Sequence, residues 1–463
     1  MSVIMEGLNE AYIEKIKNKY GSRFDTVSKF YPSFTDEQAM KLGILLENTN
    51  EAFARCGMNE ATQVNPNIIQ GLKNQYFDII SASFPGLIAE ELFSVQPLRQ
   101  KAGQIFWLKY IYGSNKGRIK KGDTIFGPKG EIVGYENRHY TSEIVEDEIL
   151  FEADGTETLH EGNLSYVPLL PGCVKFKTNE GEITDDANGN LVMNGAVVGT
   201  IDYSSGRYSF TATLSAQDVY ADYEFDMTYA PSTIPEIELK ITDTLIQARP
   251  RKLRGSYSLD AAYDLKMAQG IDIQESLLEA ASMTLRHETD GELLMDAIRQ
   301  AGSAVTFNAS YNNVGAEIGV REFYLSFLDC IVKASSIIRK KTKRVEANWL
   351  VVGKQAADML RVIGAPQFVA VNASNQAGPC YIGTLQNQWK VYINPFFADD
   401  EFLLGYKGNS LVDAGLVYAP YMPFFATNPI MLDDFLGRQG FATTYGKKLV
   451  NADMYVRGKI ITQ

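Results

Sequence analysis

Residues that commonly carry out chemistry are sparse in this sequence. It contains three histidines, His139, His160 and His287, and no two of them lie three or four positions apart. That spacing matters because residues i and i+3 or i+4 share one face of a helix, where a pair of histidines can bind zinc. Aspartate and glutamate are plentiful but dispersed, so the sequence identifies no carboxylate pair for acid–base catalysis. We therefore expect no metal site and no catalytic residues.

Motifs for phosphate binding and nucleophilic catalysis are absent as well. The sequence has no GxxxxGK[ST] loop, no GxSxG turn and no GxGxxG pattern at the start of a predicted helix. The stretch GSNKGRIKKG (113–122) is rich in glycine and lysine, but it lacks the hydroxyl residue and the strand-to-helix context of a phosphate loop. The sequence therefore predicts a protein that is not an enzyme and needs no cofactor.

The composition indicates a folded, water-soluble protein of more than one domain. The 463 residues are 45% hydrophobic and 22% charged, and the formal net charge is −12. A negative chain is poorly suited to general nucleic acid binding, which depends on clustered lysine and arginine. The four cysteines (Cys56, Cys173, Cys330 and Cys380) are far apart, and no apolar run approaches the roughly 18 residues needed to cross a bilayer. These features favour a reducing compartment and no membrane association.

The chain begins with a helical region and then changes to a strand pattern. Residues 1–60 are polar and helical, with Thr35 and Gln38 at the spacing of a capping box, and residues 61–70 indicate a linker. An amphipathic stretch then breaks at Pro85 and Gly86. From Gly103 the apolar residues alternate, which predicts a strand followed by a long exposed β-hairpin.

The predicted hairpin is basic and the segment after it is acidic. Because an isolated hairpin is not stable in water, we expect it to lie on a neighbour, with opposite charges fixing its position. This predicts self-association, and the residues that we assign to subunit contacts are Lys116, Arg118, Lys120, Lys121 and Lys129 of the hairpin and Glu146, Asp147 and Glu148 of the acidic run.

The rest of the sequence divides into an all-β insertion and a mixed region. Residues 154–232 are rich in glycine, tyrosine and valine, and their short strands predict an inserted all-β module. After it, Ser258 is placed to cap a helix that ends at Gly270, and the longest helical pattern follows, with Leu277, Ala281, Leu285, Leu294 and Ile298 on one face. The basic run KASSIIRKKTKR (333–344) fits either a binding patch or a helix C-terminus, and we favour the helix C-terminus.

Four blocks of the sequence, in order, resemble the major capsid proteins of T4-like and other large tailed phages. The first is FPGLIAEELFSVQPLRQKAGQIFWLKYIYG (84–113), the second begins QARPRKLRGSYS, the third is YKGNSLVDAGLVYAPY (406–421), and the fourth is GFATTYG. The family pattern has methionine where this sequence has Leu98. The positions that carry the resemblance are Pro85, Gln96, Pro97, Gly103, Tyr406, Gly408, Asp413, Tyr418 and Pro420.

The resemblance implies an α+β fold of the HK97 capsid type. Its parts are an N-terminal arm, a long hairpin called the E-loop, a peripheral domain with a spine helix, and an axial domain. On this sequence we place the N-terminal helical arm at 1–70, the hinge and first E-loop strand at 71–112, the E-loop at 113–153, the inserted small all-β domain at 154–232, the peripheral domain with the spine helix at 233–302, the axial domain at 303–425, and the C-terminal return to the peripheral domain at 426–463.

The same resemblance implies a structural function. Copies of the chain would assemble as hexamers and pentamers into an icosahedral or elongated shell around double-stranded DNA, bound without sequence specificity. Scaffold, portal, vertex and decoration proteins would be its partners, and it would assemble in the host cytoplasm and reside in the virion. The inserted domain would clamp subunits together or decorate the shell. The alternative is a phage adhesin that binds glycans through the inserted domain.

Overall fold

The computed structural model describes most of the chain as two compact units. The described residues are 10–30, 34–55, 87–126, 139–153, 158–215, 217–228, 234–270, 272–310, 319–371, 378–427, 429–431 and 436–461. One unit comprises Met1–Trp107 with Thr242–Gln463, and the other comprises Leu108–Ile241. The first unit carries all the α-helices of the described residues together with two sheets, and the second is built from strands, so the predicted α+β class is confirmed.

The helices and strands are numbered here in chain order. The α-helices are α1 (Glu10–Phe30), α2 (Asp36–Arg55), α3 (Ile88–Leu92), α4 (Leu259–Gln269), α5 (Ile273–Arg299), α6 (Val320–Thr342) and α7 (Lys354–Ile363). The strands are β1 (Ser94–Val95), β2 (Ala102–Tyr112), β3 (Thr124–Phe126), β4 (Ile144–Ala153), β5 (Leu159–Asn163), β6 (Lys175–Thr178), β7 (Gly181–Asp185), β8 (Asn190–Met193), β9 (Ala196–Ile201), β10 (Arg207–Thr211), β11 (Gln217–Glu224), β12 (Ile237–Gln247), β13 (Arg249–Ser258), β14 (Ser303–Asn308), β15 (Trp349–Val352), β16 (Phe368–Ala370), β17 (Cys380–Leu385), β18 (Trp389–Ile393), β19 (Glu401–Gly405), β20 (Leu416–Ala426), β21 (Ile430–Met431), β22 (Leu436–Leu449) and β23 (Tyr455–Ile461).

The N-terminal helices form an antiparallel pair that is part of the core of the first unit. The capping box at the start of α2 is confirmed, because the Thr35 amide donates to Gln38 Oε1 at 2.8 Å and the Gln38 amide donates to Thr35 Oγ1 at 3.3 Å. Every residue of α2 from position 40 to position 49 is buried. The two helices cross closely at Gly43, where a Cβ atom would lie 2.3 Å from Ile16 Cγ2. The Asn48 side chain ties α2 to the core by donating to the carbonyl oxygens of Leu98 and Tyr421.

The first sheet of this unit packs against the long helix α5. Its strand order is β1-β20-β22-β13, with β21 beside β22. The predicted helix signals before α5 are confirmed, because Ser258 Oγ accepts from the Ala261 amide at 3.3 Å and Gly270 ends α4 with φ 67°. The predicted apolar face of α5 is also correct: Ala281, Leu285, Leu294 and Ile298 are buried, and Leu277 is partly buried against them.

The second sheet of this unit is mixed and is covered by helices α6 and α7. Its order is β14-β23-β19-β15-β18-β17-β16, with parallel pairs at β14·β23 and β15·β18. Strand β15 is buried along its whole length, and α6 buries the face that carries Phe327, Ile331 and Ile338. This confirms the late mixture of helices and strands that the sequence predicted.

The second unit contains an eight-stranded antiparallel sheet with its own hydrophobic core. The order is β4-β11-β6-β7-β8-β9-β10-β5, and Phe176, Ile183, Leu191 and Val219 are completely buried inside it. Strand β4 begins at Ile144, ten residues before the position at which we placed the start of the all-β domain. Because β4 pairs with β11 along its length, the acidic run belongs to this sheet and not to the hairpin.

The predicted hairpin strand is one member of a three-stranded sheet. That sheet has the order β12-β2-β3. Strand β2 runs from Ala102 to Tyr112, close to the strand predicted from Gly103, and β3 returns at Thr124–Phe126. The remainder of the predicted hairpin, with Lys129, lies outside the described residues.

Candidate assembly surface

Strand β12 exposes a row of large apolar side chains that is interrupted once, by the exposed Asp243. Ile237, Leu239, Ile241 and Leu245 are 60%, 56%, 66% and 79% exposed. They occupy odd positions of the strand, so they project from the same face of the sheet. Single exposed apolar residues are ordinary, but a row of four along one strand face marks a binding surface. We name these four residues the apolar row.

The neighbouring strand β2 has the same division into an exposed and a buried face. Phe106 and Tyr110 are 43% and 38% exposed, whereas Ile105 and Trp107 are buried. Ile105 and Trp107 share a hydrophobic cluster with Ile246 of β12. That shared cluster defines the inner face, so the apolar row and the exposed residues of β2 both lie on the outer face.

Helix α4 is a second surface that the described residues of the chain leave uncovered. None of its eleven residues is buried. Tyr263 and Met267 are 69% and 83% exposed, and they lie four residues apart on one face of the helix. A helix of this length is marginal in water when no face is packed. A partner on the Tyr263 face would stabilise it.

The basic and acidic residues that we assigned to subunit contacts meet within one chain. Arg118 Nη2 lies 3.1 Å from Asp147 Oδ2, and Lys177 Nζ lies 2.9 Å from Asp147 Oδ1. Lys121 Nζ lies 3.2 Å from Glu238 Oε1, and Glu146 lies 3.5 Å from His139. Lys120 and Lys121 are exposed. The predicted charge complementarity is therefore present, but its contacts in the single chain are internal.

Lys116 is buried and is not on an exposed hairpin face. Its side chain is 2% exposed, and its amine donates to the carbonyl oxygens of His139 at 2.7 Å, Tyr140 at 3.1 Å and Ser142. The amine also lies 5.3 Å from the centre of the Phe225 ring. Burial lowers the pKa of Lys116 to about 8. Our assignment of Lys116 to a subunit contact is therefore wrong, because its donors are occupied inside the second unit.

Glu148 is also enclosed by the second unit. It is 9% exposed, and its carboxylate accepts hydrogen bonds from the hydroxyl groups of Tyr223 and Ser165. Burial, together with the negative charge of Glu148, raises the pKa of Tyr223 far above its usual value. Glu148 therefore holds the interior of the all-β sheet together, and its assignment to a subunit contact is wrong for the same reason.

The first group of family-pattern residues fixes the turn between β1 and β2. The Gln96 side chain forms two hydrogen bonds with the backbone of Phe106, donating at 2.8 Å and accepting at 3.1 Å. On either side of Pro97, the Gln96 and Leu98 amides donate to the carbonyls of Tyr418 and Pro420. A Cβ atom on Gly103 would lie 2.9 Å from Leu98 Cδ2, so glycine permits this close approach. Pro85 lies outside the described residues.

The second group surrounds a buried ion pair. Arg344 Nη2 lies 2.7 Å from Asp413 Oδ1, and Asp413 is only 5% exposed. A Cβ atom on Gly408 would lie 2.1 Å from Asp413 Oδ2, so this position admits only glycine. The Tyr406 amide donates to the Met454 carbonyl, and Tyr418 is buried against the edge of Tyr445. These family-pattern residues maintain the fold of the first unit.

Four of the six basic residues in the run at the end of α6 form ion pairs within the chain. Arg339, Lys341 and Arg344 each lie 2.7 Å from an acidic partner, and Lys333 lies 2.9 Å from Asp329. Lys341 also donates to the carbonyl of Gly302. This agrees with our preference for a helix C-terminus over a binding patch.

Two buried acidic residues, Glu90 and Asp290, and the partly buried Lys407 were not identified from the sequence. Glu90 and Asp290 are each 2% exposed, and burial raises the pKa of both, that of Asp290 to about 7. Lys407 donates to the Glu90 carbonyl, and burial lowers the pKa of Lys407. Asp290 accepts from the amides of Ala89 and Ile88 at the start of α3. The neighbouring sequence does not distinguish Glu90 or Asp290 from solvent-exposed charged residues. Lys407 could have been selected as a candidate, because it lies within the YKG block.

Metal clusters, disulfides and membrane helices do not occur in the described part of the chain. No group of three or more His, Cys, Asp or Glu side chains there is arranged to hold a metal ion. Cys173, Cys330 and Cys380 are free thiols. No helix among the described residues is both long enough and apolar enough to span a bilayer.

Comparison with known proteins matches most of the chain to phage major capsid proteins. The family model of the major capsid protein Gp23 matches residues 69–463. The major capsid protein of Enterobacteria phage T6 is 24% identical over 94% of this chain and 89% of its own length. That of Vibrio phage KVP40 is 23% identical over 94% of this chain and 87% of its own length. Among solved structures, the capsid of Myoviridae phage XM1 is 10% identical, covers 68% of this chain and 89% of that chain, and has a TM-score of 0.35.

Proposed function

The chain belongs to the Gp23 major capsid protein family, and from this premise we propose that its copies assemble as hexamers and pentamers into the shell of a tailed bacteriophage. Family membership confirms the resemblance found in the four sequence blocks, and it confirms a structural, non-enzymatic function. The shell is built on the HK97-type plan, with the sheet of β2, β3 and β12 acting as the E-loop that lies on an adjacent subunit.

The apolar row of β12 is the observation that carries this proposal. Full burial of one Leu or Ile side chain stabilises by about 1.5–3 kcal/mol, so covering four of them contributes about 6–12 kcal/mol before other costs. Association itself costs about 4–15 kcal/mol in lost translational and rotational freedom. The apolar row alone is thus a weak contact between two free chains.

A shell overcomes this cost because every subunit is held by several neighbours at once. We assign further contacts to the exposed face of α4, with Tyr263 and Met267, and to the exposed hairpin residues. Of the charged residues selected from the sequence, Arg118, Lys120, Lys121, Lys129, Glu146 and Asp147 remain in this proposal. The exposed lysines steer the approach of an acidic neighbour, which changes association rate more than affinity.

The proposal extends to partners and location. Scaffold, portal, vertex and decoration proteins complete the shell, which assembles in the host cytoplasm and becomes the capsid of the virion. The net charge of −12 supports enclosure of double-stranded DNA without specific binding, because a negative surface does not retain phosphates. The eight-stranded domain serves as a clamp between subunits or as an outer decoration.

Two substitutions on the apolar row test the proposal. We expect the double variant Leu239→Asp and Ile241→Asp to fold with an unchanged unfolding midpoint, because both side chains are already exposed. We expect its yield of shells, tubes or capsomer sheets to fall at least tenfold in negative-stain microscopy and sedimentation, because the charged row cannot be buried.

The matched control is Lys240→Ser. Lys240 stands between the two residues on the same strand and is also exposed, but it points away from the apolar row. This variant should assemble like the wild type. Normal assembly of the double aspartate variant would contradict the proposed role of β12.

A further inference from the structure

Glu90 of α3 carries a buried carboxyl group that has no hydrogen-bond donor among the residues that the structure describes. Glu90 is 2% exposed, and neither of its carboxyl oxygens has a partner in that part of the chain. A buried carboxylate without donors is costly, so such a group takes up a proton and becomes neutral. Burial accordingly raises the pKa of Glu90. The arrangement in the structure therefore fits the protonated form of Glu90.

The two cations nearest to this carboxyl in charge effect are bonded to other groups. The positive charges of Lys41 and Lys407 oppose the rise in the pKa of Glu90, but neither amine forms an ion pair with it. Lys41 Nζ instead lies 2.9 Å from Glu37 Oε1. The Lys407 amine donates to the backbone carbonyl of Glu90, and burial lowers the pKa of Lys407.

The bond from Lys407 to the Glu90 carbonyl places a donor close to the Glu90 carboxyl. Carbonyl and carboxyl belong to the same residue, so a few covalent bonds separate them. Rotation about the side-chain bonds of Lys407 and Glu90 between staggered conformations would bring the amine to the carboxylate. A hydrogen bond between two charged groups is stronger than one to a neutral carbonyl, so an ionised Glu90 would attract the amine.

Other titratable groups surround Glu90 on every side. Glu91 accepts from the hydroxyl of Tyr392, and Asp290 accepts from the first amides of α3. The complete set consists of Glu37 and Lys41 of α2, Glu91 of α3, Asp290 of α5, Lys390 and Tyr392 of β18, Tyr418 of β20 and Lys407 of the loop after β19.

A polar cleft gives solvent a path towards this group. The cleft has a volume of about 570 Å³, and Glu90, Lys41 and Lys407 are among the residues that line it. The loop 407–411 forms another part of its wall. A proton leaving Glu90 can therefore pass to solvent without unfolding of the first unit.

We propose that Glu90 and Lys407 form a proton-controlled switch between two hydrogen-bond arrangements of α3 and the loop 407–411. With Glu90 protonated, the Lys407 amine holds the backbone carbonyl of Glu90, as in the structure. When Glu90 loses its proton to solvent, the amine turns from the carbonyl to the carboxylate, and the charged pair draws water into the wall of the cleft. The loop is then held less tightly. This proposal does not depend on the assembly function.

The first arrangement is favoured at low pH. It raises the pKa of Glu90 above the ordinary glutamate value of 4.5, so it binds the proton more tightly than the second arrangement does. Its stability is therefore complete at acidic pH and is lost as the pH rises through the raised value. Asp290 also has a raised pKa, so a test has to separate the two carboxyl groups.

Hydrogen exchange of the unassembled full chain tests the switch. Mass spectrometry measures the protection of amides in the loop 407–411 between about pH 5 and about pH 9, with correction for the intrinsic pH dependence of exchange. We expect protection in the wild type to fall at least tenfold as the pH rises. Glu90→Gln cannot ionise and should keep the protection seen at low pH. Asp290 is present in both proteins, so the difference between them isolates Glu90.

The matched control is Glu279→Gln, at an exposed position of α5. It removes the same charge and should show the pH response of the wild type. Protection that does not depend on pH in the wild type would overturn the proposal, and so would a Glu90→Gln profile that follows the wild type. Loss of the response in Glu279→Gln would overturn it as well, because net charge would then be the cause.

Lys407→Met tests the second partner and does not require the Glu90 variant to fold. Without the amine, an ionised Glu90 has no new donor, so the midpoint of the pH response in α3 should rise by at least one pH unit. Lys390→Met removes an exposed amine from the same cleft and should leave the midpoint unchanged. An unchanged midpoint in Lys407→Met, or equal shifts in the two variants, would overturn the assigned role of Lys407.

Discussion

The burial of individual charged residues was the feature of this protein that the sequence predicted least well. Lys116 and Glu148 occur in strongly charged stretches, where a solvated side chain is the usual outcome. Both are buried and bonded to groups that are distant in sequence: Lys116 to the backbone near Tyr140, and Glu148 to Tyr223. A buried charge is tolerated only when its hydrogen bonds are satisfied, so these two residues are structural supports of the second unit.

Replacement of Lys116 by methionine should destabilise the second unit. Methionine fills a similar volume but leaves the carbonyl groups of His139, Tyr140 and Ser142 without their donor. We expect the free energy of unfolding to fall by about 2–4 kcal/mol, measured by urea denaturation of the full chain. Lys120→Met, at an exposed position four residues away, should change it by less than about 0.5 kcal/mol. Equal losses in the free energy of unfolding for the two variants would show that the hydrogen bonds of the Lys116 amine do not stabilise the second unit.

At the scale of elements, short segments are held by distant side chains. Helix α3 has only five residues, too few to be stable alone. Asp290 of α5 accepts from the first amides of α3, at Ile88 and Ala89, and so takes the place of a local N-cap. The stability of α3 therefore depends on α5, two hundred residues further along the chain.

The ionisation of Asp290 should make stability depend on pH. Burial raises the pKa of Asp290 to about 7 in the folded chain, above the ordinary aspartate value of 3.8. The folded state then binds the proton more tightly, so this contribution is complete below about pH 4 and is lost as the pH rises through 7. Asp290→Asn cannot ionise, so its free energy of unfolding should rise relative to the wild type between about pH 4 and pH 7, by up to about 1.4 kcal/mol per pH unit, and the difference should stay constant above that range. Parallel pH profiles of the two proteins in urea denaturation would contradict this assignment.

At the scale of the whole molecule, the chain has separate hydrophobic cores in its two units. The core of the all-β sheet contains Phe176, Tyr208 and Phe210, all from the second unit. The core beneath α6 and α7 contains Leu350, Phe402 and Val456, all from the first. Because the cores are separate, a substitution can destabilise one unit while the amides of the other unit stay protected from hydrogen exchange.

Phe176→Ala should loosen the second unit selectively. Phe176 is completely buried, and its ring lies 5.1 Å from that of Tyr208, so the loss of the side chain should cost about 3–5 kcal/mol. Hydrogen exchange should accelerate in strands β4 to β11 and stay unchanged in β15 and β19. The reciprocal variant Leu350→Ala should accelerate exchange in β15 and its neighbours β18 and β19, and leave β4 to β11 unchanged. Uniform acceleration across the chain in either variant would show that the two units unfold together.

Local sequence patterns were sufficient to predict several secondary-structure elements and to identify the family. The capping box of Thr35 and Gln38, the Ser258 cap, the Gly270 stop and the apolar face of α5 were all predicted, because each depends on residues within a few positions. The four blocks identified the family because they preserve residues such as Gly408 and Asp413, whose close contact permits no larger side chain.

Only the tertiary structure decided which side chains are covered. The alternation of apolar residues in β12 predicts a strand with one apolar face, but it does not say whether that face is in the core or exposed to a partner. Similarly, nothing near Glu90 in sequence predicts its burial, because groups around it come from α2 and from the loop after β19. Sequence therefore determined the family and the local elements, whose signals are short-range. The fold determined the exposed row, the buried charges and the cleft, because burial depends on residues that meet only after folding.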